Sequence, residues 1–125
     1  MRSFNISEHL SLANSLYTQT ALNGGCSINV DYQSPKSGYL VSIKDGLVYD
    51  NISSVNVHEL SAWIKENLTN KDNVYFGGWI DTETKKVYFD LSQNIQDRLK
   101  AIAAGTLYNQ IAIYDVSTQC ETRLK

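Results

Sequence analysis

Proline occurs once and cysteine twice in 125 residues, and neither sign of charge dominates. Each shortage excludes something. Few prolines and few charges among many Asn, Ser, Thr and Tyr argue against a disordered tail. Cys26 and Cys120 lie near opposite ends, and the N-terminus shows no basic-then-apolar signal pattern. They are expected to be free thiols, and the chain to be cytoplasmic. No apolar run approaches the roughly 18 residues of a membrane span, which excludes a membrane helix. The net charge of -2 supplies neither the carboxylate field of a DNA mimic nor the basic surplus of a dedicated nucleic-acid binder.

Catalytic and metal motifs are equally scarce. The only histidines, His9 and His58, each sit early in an expected helix without a ligand-type partner, and both read as solvated. CxxC, HxH, HExxH and GxSxG patterns are missing, so neither a metal site nor a catalytic set is assigned, and no cofactor is implied. Cys26 opens an expected strand, where a small buried thiol is commonplace. Gly77-Gly78 lacks the Lys and Ser/Thr that follow in a phosphate loop, and within a strand reads as a bulge or a close backbone approach. Asp81 and Asp90 flank the same hairpin as a conceivable carboxylate pair, with turn or strand-end chemistry as the simpler reading.

What is present is a period. Residues 6–22 repeat apolar positions at helical spacing (Leu10, Ala13, Leu16, Tyr17, Ala21). Ser7 is the expected cap and Asn23-Gly24-Gly25 the stop. Cys26–Tyr32 and Tyr39–Lys44 alternate as half-buried strands, and Asp45-Gly46 reads as a hairpin turn into a short return strand, Leu47–Asp50. Asn56, with Glu59 three residues on, opens a second helix whose stripe is Val57, Leu60, Ile64 and Leu68, with Trp63 beside it. Thr69–Asn73 is a polar break. Val74–Ile80 and Lys86–Leu91 form an aromatic-rich hairpin about the turn Asp81–Lys85. A third helix, about Ile95 to Tyr108, is expected to bury Ile95, Leu99, Ile102, Ala103 and Leu107, and its alanines suit a close approach to a sheet. Gln110–Val116 is a final strand.

The reading is therefore one α+β domain over residues 1–125, with residues 1–5 and 117–125 flexible. An antiparallel or mixed sheet of about five to six strands carries three helices on one side, in the order α-β-β-(β)-α-β-β-α-β. A faint similarity at offset 39 (Gly38 with Gly77, Val48-Tyr49 with Val87-Tyr88, Leu60 with Leu99) reflects the shared grammar of two ββα units more than a duplication. Tyr75, Trp79, Tyr88 and Tyr114 fall on one sheet face. Burial as core is the favoured reading of that face. The functional reading makes these four, with Asp81 and Asp90, a binding surface.

Gly77-Gly78-Trp79-Ile80-Asp81, Val87-Tyr88-Phe89-Asp90-Leu91-Ser92, Asp97-Arg98 with Ala101, and Asn109 to Asp115, together with Gly38 to Ser42, give the chain a family likeness. Over residues 38–116 it resembles small uncharacterised proteins of bacteriophages and other mobile elements. That resemblance brings no catalytic residues. It implies an accessory protein that binds and inhibits a host defence protein, of the anti-CRISPR or antirestriction type, by occlusion and without enzymatic activity. Two alternatives stand beside it: a small enzyme or nucleotide-sequestering module with a pocket near the hairpin, and a virion structural or assembly protein. The expected partner is a host protein rather than nucleic acid or membrane, and self-association is left open.

Overall fold

The structure, a computed structural model, describes residues 6–68 and 73–125, and side chains from residue 8 onward. The expectations for residues 1–5, for the Ser7 side chain and for most of the polar break at 69–73 lie outside the described residues. Helix α1 runs Ile6–Asn23, strand β1 Gly25–Ile28, β2 Tyr39–Tyr49, helix α2 Val57–Glu66, β3 Val74–Ile80, β4 Val87–Ile95, helix α3 Arg98–Leu107, β5 Ala112–Asp115 and β6 Cys120–Arg123. A short 3-10 turn, Ile52–Ser54, precedes α2.

The six strands form one sheet in the order β1-β3-β4-β2-β5-β6, and every pairing is antiparallel. This is the α+β class expected from the sequence. All three helices lie on one face, because the register decides which residues point their way. Phe76 pairs Leu91 and Gly78 pairs Phe89, while Val41 and Val74 both pair Gln93. Those positions share a face with Leu12 and Leu16 of α1, Leu60 and Ile64 of α2, and Ala101 of α3. Trp63 meets Phe76 edge-on at 5.6 Å between ring centroids. Removing a ring from Phe76 or Phe89 would cost about 3–5 kcal/mol.

Several local expectations give way to tertiary geometry. The stretch from Val30 to Tyr32 is not strand. The Asn29 side chain accepts the backbone N–H groups of Asp31 and Gln33 at 2.9 Å, closing a turn that puts Tyr32 at φ 63. Asp45-Gly46 is not a hairpin turn but an irregularity inside one long strand, β2. Gly46 is needed there for space, because a Cβ would lie 2.5 Å from both the Phe89 carbonyl oxygen and the Trp63 ring. The first of the two supposed ββα units thus contains a single strand, and the offset similarity is not a structural repeat.

The helix faces are rotated from their expected positions. On α1 the buried residues are His9, Leu12, Ala13, Leu16 and Thr20, whereas Ala21 is exposed. His9, expected to be solvated, is 4 % exposed. On α3, Ala101 and Gly105 face the sheet, and Leu99 and Leu107 are 77 % and 79 % exposed. Small residues four apart let this helix sit close, since a Cβ on Gly105 would lie 2.5 Å from Leu124 and 2.8 Å from Ile113. α3 also starts later than expected. Residues Ser92 to Ile95 continue β4, and the Asp97 carboxylate caps the helix by accepting the Lys100 N–H at 3.1 Å. Residues 117–123, expected to be frayed, turn back through an Asp115 side-chain turn into β6.

The remaining caps follow the sequence reading. Asn56 accepts the Glu59 N–H at 3.0 Å to start α2, and Gly24 ends α1 at φ 77. His58 is exposed, as expected.

Candidate functional site

Among the described residues, the opposite face of the sheet carries no helix. Its residues can be read row by row across the strands. Gly25, Trp79, Tyr88 and Val48 form one row; Ser27, Gly77, Asp90 and Asp45 the next; Tyr75, Ser92 and Ser42 a third; Asn94, Leu40, Tyr114 and Glu121 a fourth. The sheet curls, so that residues of both edge strands, β1 and β6, line one open groove of about 1070 Å³. Its lining includes Ser27, Leu40, Ser42, Asp45, Gly77, Trp79, Asp90, Ser92, Tyr114, Glu121 and Arg123.

Six residues were singled out from the sequence, and the fold separates them unequally. Tyr75, Trp79, Tyr88, Asp90 and Tyr114 do share this face. Its aromatics are not core, contrary to the favoured reading. Trp79 is 47 % exposed and lies stacked on Tyr88, with centroids 4.9 Å apart and planes 17° from parallel. The face stays open because the three helices of the described residues all lie on the other side.

Asp81 stands apart. Its carboxylate accepts the backbone N–H groups of Glu83 at 2.8 Å and Thr84 at 3.2 Å, bonds that hold its pKa below the ordinary value. Asp81 is opposite Lys86 at the hairpin tip, whereas Asp90 is opposite Gly77 in mid-strand. The two do not form a carboxylate pair, and Asp81 shapes the turn.

The carboxylate that does face Asp90 is Asp45, its cross-strand neighbour on β2. Sequence reasoning missed it by assigning Asp45-Gly46 to a hairpin tip. Burial raises the pKa of Asp90, the nearby Ser42 hydroxyl offsets part of this, and the charge of Asp45 adds to the rise. Gly77 makes the arrangement possible, since a Cβ there would lie 2.5 Å from Asp90 Oδ1. The Ser42 Oγ lies beside the carboxyl outside hydrogen-bonding geometry and is buried with no hydrogen-bond partner. Ser92, paired with Ser42 in register, is 6 % exposed, and its hydroxyl joins no hydrogen bond among the described residues. The only sequence signal for this floor was small polar residues alternating with apolar ones in β2 and β4.

Nucleophilic chemistry finds little support at Cys26. Burial pushes its thiol up to about 11, and its Sγ is 3.5 Å from the Gln19 side-chain oxygen. A thiol so placed is protonated at neutral pH and is a poor nucleophile. Cys26 and Cys120 are free thiols, as expected. Among the described residues no group of three or more His, Cys, Asp or Glu side chains is placed to hold a metal ion. Among them, too, no helix is long and apolar enough to cross a membrane.

No protein-family model, curated protein or solved structure matches the chain.

Proposed function

We propose that this is a binding protein that acts through the helix-free face of its sheet. With the mobile-element resemblance in residues 38–116, its partner is a host defence protein, which it inhibits by occlusion. The observation that carries the reading is the Trp79 ring, exposed on an open groove and stacked on the half-buried Tyr88, instead of lying under a helix. Rigid aromatics on an accessible face are the residues that most often anchor protein contacts. The groove spans the sheet from β1 to β6, which suits a protein surface better than an enclosed small molecule.

Nucleotide sequestration is the second reading, and the groove chemistry weighs against it. The lining carries Asp45, Asp90 and Glu121 against Arg123, an acidic balance that repels phosphate.

The test is affinity capture of the tagged protein from bacterial cells bearing the mobile element, for wild type and for a Trp79→Ala/Tyr88→Ala variant. A stoichiometric protein partner retained by wild type and lost by the variant is expected. A circular dichroism melt of the variant, run beside the capture, would show that it is folded. Capture of no partner by wild type, or equal capture by both, would sink the proposal.

A further inference from the structure

We infer that the groove receives an arginine side chain projecting from the protein partner, with its guanidinium seated between the Trp79 ring and the Asp45 and Asp90 carboxyl groups. This deepens the function proposed above and rests on it.

Charge points first to a cation. Asp45 and Asp90 are direct cross-strand neighbours, an arrangement that like charges make unfavourable. Among the described residues, no lysine or arginine bonds to either. An entering cation relieves their repulsion, whereas an anion worsens it and a neutral group leaves it in place.

Hydrogen bonding points next to a donor-rich group. The hydroxyls of Ser42 and Ser92 line the groove one row from the carboxyl pair, and the buried Ser42 Oγ lies beside the Asp90 carboxyl. A serine oxygen accepts as well as donates, so both can take an N–H from a group in the groove. A guanidinium offers five N–H donors in a planar fork, enough for two carboxyl groups and a hydroxyl together.

Shape then separates arginine from lysine. Trp79 and Tyr88 lie two residues along their strands from Gly77 and Asp90, about 7 Å away on the same face. A flat, weakly hydrated cation stacks on such a ring while its edge reaches the carboxyl groups. An ammonium is a compact, strongly hydrated point charge. Having no side chain, Gly77 lets the Asp90 carboxyl lie over its backbone, on the same face as the Trp79 ring.

The test titrates the intact protein with an acetyl-Gly-Arg-Gly-amide peptide, following the backbone amides and the Trp79 indole N–H by NMR. Matched peptides carry citrulline or lysine in place of arginine, and spermidine serves as a free cation. Expected are shifts confined to the groove, binding at least tenfold weaker for citrulline, and weaker binding for lysine. Asp45→Asn and Asp90→Asn should each lose about tenfold, and Trp79→Ala severalfold. Glu83→Gln, at the hairpin tip, should change nothing. Dispersed amide spectra would show that each variant is folded. Equal binding of citrulline, indifference to both aspartate changes, or tighter binding of spermidine than of the arginine peptide would overturn the inference. If Trp79→Ala/Tyr88→Ala loses a captured protein partner while the arginine peptide fails to shift the groove, the binding face stands and the arginine assignment falls.

Discussion

Gly77 and Gly78 are chain neighbours that point to opposite sides of the sheet, so one chemical change should give two different results. Neither has a positive φ, and alanine fits both backbones. At Gly78 a Cβ would run into Thr20 Oγ1 and lie 2.9–3.0 Å from the Phe89 ring, both buried under α1. Overpacking of this kind costs about 1–3 kcal/mol. Replacing a strand glycine returns about 0.5–1 kcal/mol. With the middle of each range the net loss is about 1.3 kcal/mol, which at about 4 °C per kcal/mol for this length lowers Tm by about 5 °C. At Gly77 the Cβ meets Asp90 Oδ1 at 2.5 Å, and Ser27 Oγ at an ordinary 3.7 Å. The Asp90 carboxyl borders the groove and can swing into it, at about 0.5–1.5 kcal/mol for an off-rotamer side chain. The glycine gain offsets most of that. Gly77→Ala should therefore melt within about 2–3 °C of wild type, yet lose at least tenfold in binding of the arginine peptide. Thermal denaturation by circular dichroism and the NMR titration read the two effects separately. A Gly77→Ala protein as unstable as Gly78→Ala would refute the open groove. A neutral Gly78→Ala would refute the packing of α1 on this strand.

The other expectations are simpler. The raised pKa of Asp90 means that the native state holds this proton more tightly than the unfolded chain does. Its ionisation therefore costs stability as pH rises from the ordinary carboxylate value, 3.8, to the native one, and the cost is fully present above that. Asp90→Asn should flatten this fall, which cannot exceed about 1.4 kcal/mol per pH unit. Urea denaturation at several pH values should show the variant more stable at pH 7 and the two alike near pH 3. A difference independent of pH would contradict the assignment, with Asp45, Glu121 and Arg123, the other charged groups of the groove, left intact. A thiol reagent should modify the exposed Cys120 several times faster than the half-buried Cys26; equal rates would contradict the raised pKa and partial burial of Cys26. Asn56→Ala removes the α2 cap and should cost about 1 kcal/mol in urea denaturation, with a neutral result speaking against the cap. Leu99→Gln should change stability by less than about 0.5 kcal/mol, because Leu99 is 77 % exposed; a loss of several kcal/mol would restore the helix face expected from the sequence.

Local chemistry alone determined where most elements stand. Asn56 and Glu59 start α2, Gly24 ends α1, and the alternation of Val87, Phe89 and Leu91 marks a half-buried strand, because each signal depends on neighbours a few residues away. Strand period likewise put Tyr75 with Trp79 on one side of β3 and Tyr88 with Asp90 on one side of β4, while the pairing register joined those sides, with Tyr114, into one face. Only the tertiary structure decided which side of the sheet the helices cover, and hence that Trp79 and Tyr114 stand exposed. It alone made Asp45-Gly46 a packed irregularity under Trp63 and so delivered Asp45 to Asp90, which is distant in the chain. It alone turned α3 so that Ala101 and Gly105 face the sheet while two leucines face outward. Periodicity states that a helix has an apolar stripe; close packing, in which the small residues permit the nearest approach, chooses which stripe is buried.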